Sequence, residues 1–161
     1  MNELLEKTIK ESIELESNVS ELYGLFYRIF EEDKDFWWQL KIEEKNHSFL
    51  LESAKKAFFD SNKFPQGIVS ASLEPLIDAN NNLRKMIDDF SSNPPSREIA
   101  FNTALKLEIS AGEIHYQEAI RQPDESEILK ILRKLNGEDK DHERRIREYM
   151  EVKKIKILKA F

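Results

Sequence analysis

Four segments of this chain carry apolar residues at helical spacing, and each stripe is interrupted near its middle by residues that can bind protons or metals. The first runs from about Asn2 to Phe30 through Leu5, Ile9, Ser12/Ile13, Val19, Tyr23, Phe26/Tyr27 and Phe30, with Glu16 on the same face. The second, from about Phe36 to Phe59, joins Trp37, Leu40, Leu51, Ala54 and Phe58 and puts Glu44 and His47 in the gap. A third begins after Ser96, a good N-cap, and reads Phe101, Ala104/Leu105, Glu108, Ala111 and His115 to about Arg121. The fourth follows Gln122-Pro123, opens on Asp124 with Glu127 as a capping-box start, and aligns Ile128, Leu132, Leu135, Ile146 and Tyr149 around Asp139 and His142.

The connections set the expected architecture. Glu31 to Asp35 is a short acidic turn in which Asp33 or Asp35 could cap the next helix, so the first two helices are expected to be antiparallel neighbours. Residues 60 to 96 differ. Asp60 to Gly67 is turn chemistry, a weaker helical stretch follows through Leu73, Leu76, Ile77, Leu83, Met86, Ile87 and Phe90, with Pro75 near its start, and Ser91 to Pro95 breaks the chain again. That stretch is long enough to travel the length of a bundle at about 1.5 Å per residue and keeps its own stripe. It therefore reads as a crossover within a single domain spanning residues 1–161. The tail from Val152 to Lys159 either extends the last helix or folds back on it. An all-α four-helix bundle is the expected fold.

The pattern also repeats. Aligning the second and fourth segments matches Glu43 with Glu138, Glu44 with Asp139 and His47 with His142. Glu16 precedes Glu44 by 28 residues and Glu108 precedes Asp139 by 31, in the similar settings Ile13-Glu14-Leu15-Glu16 and Leu105-Lys106-Leu107-Glu108. Two copies of one helix pair, packed with approximate two-fold symmetry, would bring six residues together: Glu16, Glu44, His47, Glu108, Asp139 and His142. Four carboxylates buried without counter-charge are costly. Two divalent cations balance them, and oxygen plus imidazole donors suit iron or manganese, with zinc or copper able to bind by affinity.

Composition narrows the chemistry. The absence of cysteine excludes disulfides, thiol catalysis and cysteine-ligated iron–sulfur centres. With 25 basic against 31 acidic residues the net charge is -6, which disfavours nucleic acid as a partner. No apolar run approaches membrane-spanning length, and the N-terminal MNELLEKTIKESIELE lacks a signal-peptide core, so a cytoplasmic protein with no membrane partner is expected.

Glu16, Glu44-x-x-His47, Glu108 and Asp139-x-x-His142 resemble the ferritin-like di-iron carboxylate superfamily. The phrases ALKLEISAGEIHY and ILRKLNGEDKDHERRI are most similar to its rubrerythrin-like branch. The resemblance covers essentially the whole chain. It implies a ferritin-like four-helix bundle with a long crossover between helices 2 and 3, and two iron ions, with manganese or mixed iron/manganese as variants and zinc as a substitute. It further implies Glu16 and Glu108 as terminal carboxylates, His47 and His142 as terminal imidazoles, and Glu44 and Asp139 as bridges. The implied activity is a non-haem di-iron oxidoreductase of peroxidase or ferroxidase type, reducing hydrogen peroxide or dioxygen by two electrons. An external electron donor reloads it, in a homodimer or small homo-oligomer. The chain departs from the family in Asp139, shorter than the usual Glu, in Ala111 where true rubrerythrins have a further Glu, and in lacking their cysteine-rich domain. Two other readings stand beside this one, an iron-handling or storage protein and a structural bundle without turnover. His115 is expected to pack near the site rather than ligate, and Trp37, Trp38, Tyr23 and Tyr27 to serve as core or oligomer contacts.

Overall fold

The computed structural model describes residues 3–59, 73–115 and 127–158, which are mostly α-helical, with no strand among them. Helix α1 spans Glu3–Ile29; a single 3₁₀ turn, Glu31–Asp33, leads into α2, Lys34–Phe59. Helix α3 spans Leu73–Ser92, α4 Arg97–His115 and α5 Glu127–Val152. The all-α expectation holds. The end of the third segment at Arg121 and the capping box at Asp124 lie outside the described residues.

Contacts across α1 and α2 pair Glu6 with Lys55, Ser20 with Lys41 and Tyr23 with Trp37, so the two helices are antiparallel. They approach closely at Gly24, where a Cβ would sit 3.3 Å from the Lys41 stem. Helix α1 also packs along α3, α4 packs on α5, and narrower contacts join α2 to α5 and α1 to α4. Covered from two sides, α1 buries Leu15, Leu22 and Leu25 beside its single expected stripe. The α1–α3 register is set by Asn80, fully buried, whose Oδ1 accepts from Asn18 Nδ2 at 2.9 Å while its own Nδ2 donates to the carbonyl and carboxylate of Glu11.

One end of the core is aromatic. Trp37 touches Tyr23, Phe26, Phe36 and Phe101 at centroid distances of 5.7, 4.9, 5.6 and 4.4 Å, and Tyr149 stacks on Phe36 at 4.1 Å. Such rings add favourable edge and offset contacts to their large buried area. Asp33, one of the two candidate caps with Asp35, is buried beneath this end. Its carboxylate accepts from Arg97 Nε at 2.7 Å, from Arg97 Nη2 at 2.6 Å and from the Tyr149 hydroxyl at 2.9 Å. That knot ties the α1–α2 turn to α4 and α5. Ser96 caps α4 as expected, accepting from the Ile99 amide.

The tail folds back. Lys154 adopts φ 56, the Ile155 amide bonds the Met150 carbonyl at 2.8 Å, and Ile155 is buried. This is a Schellman ending with lysine where glycine is usual. The following backbone is held by Asn102, which donates to the Lys156 carbonyl and accepts from the Leu158 amide.

Candidate metal centre

The gaps in the apolar stripes meet in the middle of the bundle. Glu16, Glu44, His47, Glu108 and His142 are each at most 5% exposed. They reach that position because each occupies the inward register of a helix whose turns above and below are apolar: Leu40 and Leu51 around Glu44–His47, Leu135 and Ile146 around His142, Phe101 and Ala104 before Glu108.

Glu44 is central. Its Oε2 lies 3.3 Å from His47 Nδ1 and its Oε1 2.7 Å from His142 Nδ1. The same nitrogen of each imidazole meets a second acid: Glu16 Oε2 lies 3.6 Å from His47 Nδ1, and Glu108 Oε2 3.4 Å from His142 Nδ1. Two groups of three result, Glu16–Glu44–His47 and Glu44–Glu108–His142, each with its ligand atoms within 4.8 Å of one another and with Glu44 in common. The imidazole rings are stacked, 5.4 Å apart and 12° from parallel.

The outer nitrogens are held in a crossed arrangement. His47 Nε2 is 2.9 Å from Glu138 Oε2, and His142 Nε2 is 3.1 Å from Glu43 Oε2. Each acid immediately before one Glu/Asp-x-x-His motif thus orients the histidine of the other. A carboxylate on one imidazole nitrogen fixes the tautomer and ring angle and makes the opposite nitrogen a better metal donor. Glu43 also accepts from Arg145 Nη1 at 2.7 Å. Burial raises its pKa, but His142 and Arg145 outweigh this and hold it at about 2. Tyr23 donates its hydroxyl proton to Glu108 Oε1.

The sequence pattern gave Glu43, Glu138 and Tyr23 no part in the site. The signal for the two acids was present, since they are aligned partners in the repeat. Tyr23, expected among the core or oligomer contacts, is buried in the core, and its hydroxyl also serves the site. Of the six expected ligands, five come together; Asp139 lies on α5, and its side chain and that of His115 fall outside the described atoms.

The electrostatics ask for positive charge. Burial pushes the His47 imidazole down, yet Glu16 and Glu44 overcome it and raise its pKa to about 11. His142 is likewise raised, against its burial, by Glu108, Glu43 and Glu44. Burial and Glu108 push Glu44 up, but the two imidazoles bring it below the ordinary carboxylate range. Protonated imidazoles are therefore the counter-ions of the metal-free site. The pairing is close but off line: Glu44 Oε1 and His142 Nδ1 stand 2.7 Å apart as an ion pair without the alignment of a good hydrogen bond. A cation placed between them satisfies both, so the donor set fits divalent metals bound by oxygen and imidazole.

A cleft of about 470 Å³ between α2 and α5 opens onto the outer edges of both histidines, flanked by Glu43, Glu138, Lys134 and Arg145. No helix among the described residues is long and apolar enough to cross a membrane. Compared with protein-family models, curated proteins and solved structures, the chain matches none.

Proposed function

We propose that the chain is a ferritin-like, rubrerythrin-like di-metal carboxylate oxidoreductase that uses two iron ions to reduce hydrogen peroxide or dioxygen, with electrons from an external donor. One observation carries this reading: a buried glutamate, Glu44, shared by two groups that each contain a further glutamate and a histidine. A single structural ion pair has no need of that sharing, whereas two cations held side by side do. Glu16, Glu44 and His47 would hold one cation and Glu44, Glu108 and His142 the other, with Asp139 as the second bridge the family pattern implies. Within this reading α3, lying along α1, is the crossover between the second and third helices of the bundle.

Bound ferrous ions would supply the two electrons that cleave an O–O bond. The protein's own contributions are positional. Glu43 and Glu138 keep the outer imidazole nitrogens protonated and the inner ones facing Glu44. Tyr23 fixes the Glu108 carboxylate and holds a proton against it. The cleft between α2 and α5 gives a small polar oxidant a route to the histidine edges, while the aromatic layer closes the bundle on another side.

Elemental analysis of protein reconstituted anaerobically with ferrous iron tests the reading. Two irons per chain are expected, and none in Glu44→Ala of unchanged helix content. Stopped-flow mixing with hydrogen peroxide should then oxidise the iron faster than it oxidises free ferrous ion. An iron-free wild-type bundle, or oxidation no faster than in solution, would overturn it.

A further inference from the structure

Besides the polar cleft, the bundle encloses an apolar cavity of about 140 Å³ bounded by α1, α3 and α4. Leu15, Val19 and Leu83 are its buried floor, the half-buried Ala79, Met86 and Leu107 its walls, and the exposed Asn82 stands at its mouth. The remaining lining residue, Ser110, donates its hydroxyl proton to the Leu107 carbonyl of its own helix at 3.0 Å. A buried water makes roughly three hydrogen bonds, and these side chains offer it few partners. An apolar space of about 150 Å³ instead takes up molecules such as benzene or xenon. Protein interiors are otherwise close-packed, and a space of this kind forfeits contacts that its lining would make. The flexible thioether of Met86 can adapt to what fills it.

The cavity's position assigns it a role. Leu15 and Leu107 occupy equivalent places in the repeated pattern, each immediately before a buried acid of the metal centre, Glu16 and Glu108. The cavity thus adjoins the two carboxylates that each belong to one group of ligands only. The cleft, by contrast, lies between α2 and α5, at the histidine edges and among charged side chains. The two oxidants of the proposed reaction differ in the same sense. Hydrogen peroxide donates and accepts hydrogen bonds and suits the polar cleft. Dioxygen has neither donor nor dipole and leaves water readily for an apolar space.

We propose that the cavity between α1, α3 and α4 binds dioxygen and admits it to the metal centre from the side of Glu16 and Glu108. Dioxygen as the occupant rests on the function proposed above, whereas the capacity of the cavity for a small apolar ligand does not.

Xenon is the probe that separates the two. In metal-free protein under xenon pressure, the methyl resonances of Leu15, Val19, Leu83 and Met86 should shift. Ala79→Phe, which fills the cavity from α3, should abolish those shifts with helix content unchanged. Leu83→Ala, which enlarges the space, should bind xenon more tightly and keeps the question decidable if the filled variant does not fold. In protein loaded with ferrous iron, Ala79→Phe should slow oxidation by dioxygen several-fold in stopped flow and leave oxidation by hydrogen peroxide unchanged. Shifts absent or scattered over the bundle would overturn the proposal, as would xenon affinity indifferent to both variants. So would a filled variant that excludes xenon yet keeps its dioxygen rate, or one that is slowed equally with both oxidants. Xenon bound by a chain that takes up no iron would overturn the proposed function and dioxygen as the occupant together, while the apolar site stood.

Discussion

Two layers of one core lie next to each other along α2 and are built on opposite principles. Around Trp37 and Leu40 the packing is apolar: Phe26, Phe101, Ala100 and Ile146 close the space, and rings touch rings. Just beyond, around Glu44 and His47, three carboxylates and two imidazoles are equally buried. The first layer removes apolar surface from water and stabilises the fold at about 25 cal/mol per Å². The second removes charges from water, and its attractions offset that cost only while the imidazoles carry protons or cations replace them. A polar layer of this kind is poor evidence for stability and good evidence for a site. The difference teaches where to look for function in a bundle: at the inward positions where the sequence declines to be greasy.

Changes in the two layers should therefore have different signatures. The largest effect is expected at Trp37→Ala, which removes a fully buried indole from the aromatic layer and should cost roughly 3–5 kcal/mol in chemical denaturation, whether or not metal is present. If that loss were instead confined to metal-loaded protein, the two layers would not be separable.

Glu138→Gln acts on the other layer alone. It should weaken metal binding about 10–100-fold by freeing the outer nitrogen of His47, with little change in metal-free stability. Glu43→Gln is the matching test of metal affinity at His142 and, because that carboxylate also holds Arg145, should lower metal-free stability as well. A titration of each variant with manganese, followed calorimetrically, decides the matter, and unaltered affinity in both would remove the orienting role of the crossed acids.

The pH dependence separates the layers without mutation. His47 has a folded pKa of about 11 against an ordinary 6.5, so its contribution to metal-free stability is complete below 6.5 and is lost as pH rises toward 11. Glu43, held at about 2 against 4.5, contributes above 4.5 and is lost as pH falls toward 2. Metal-free protein should thus be most stable between those ordinary values and should soften from pH 7 to 9. Metal displaces the imidazole proton, so affinity should instead increase, by about tenfold per pH unit for each proton released. Thermal melts with and without manganese at pH 6, 7 and 8 should show the two curves diverging. Parallel curves would mean that the metal does not bind through the imidazoles.

Away from both layers the smallest effect is expected. Lys154 ends α5 in a left-handed conformation that costs an L-residue about 1 kcal/mol, so Lys154→Gly should stabilise the protein by up to that amount and leave metal binding untouched. Denaturant midpoints detect a shift of this size, and a loss of stability would show that the lysine side chain itself holds the tail.

Much of this was written locally. The period of 3.6 and the break at Ser91 to Pro95 mark the helices, and because register within a helix depends on near neighbours alone, the sequence by itself determined that Glu16, Glu44, His47, Glu108 and His142 face inward. The repeat also marked Glu43 and Glu138 as equivalent. Which separate helix each of them meets is settled by packing. Glu43 turns to His142 and Glu138 to His47 rather than to the histidine of its own motif, Tyr23 reaches Glu108, and Asp33 is drawn from a cap into a knot with Arg97 and Tyr149. Leu15, Leu22 and Leu25 are buried because α3 covers α1 from a second side. These pairings join positions dozens of residues apart, and their partners are chosen by how whole helices pack, a choice that the periodicity of any one helix does not contain.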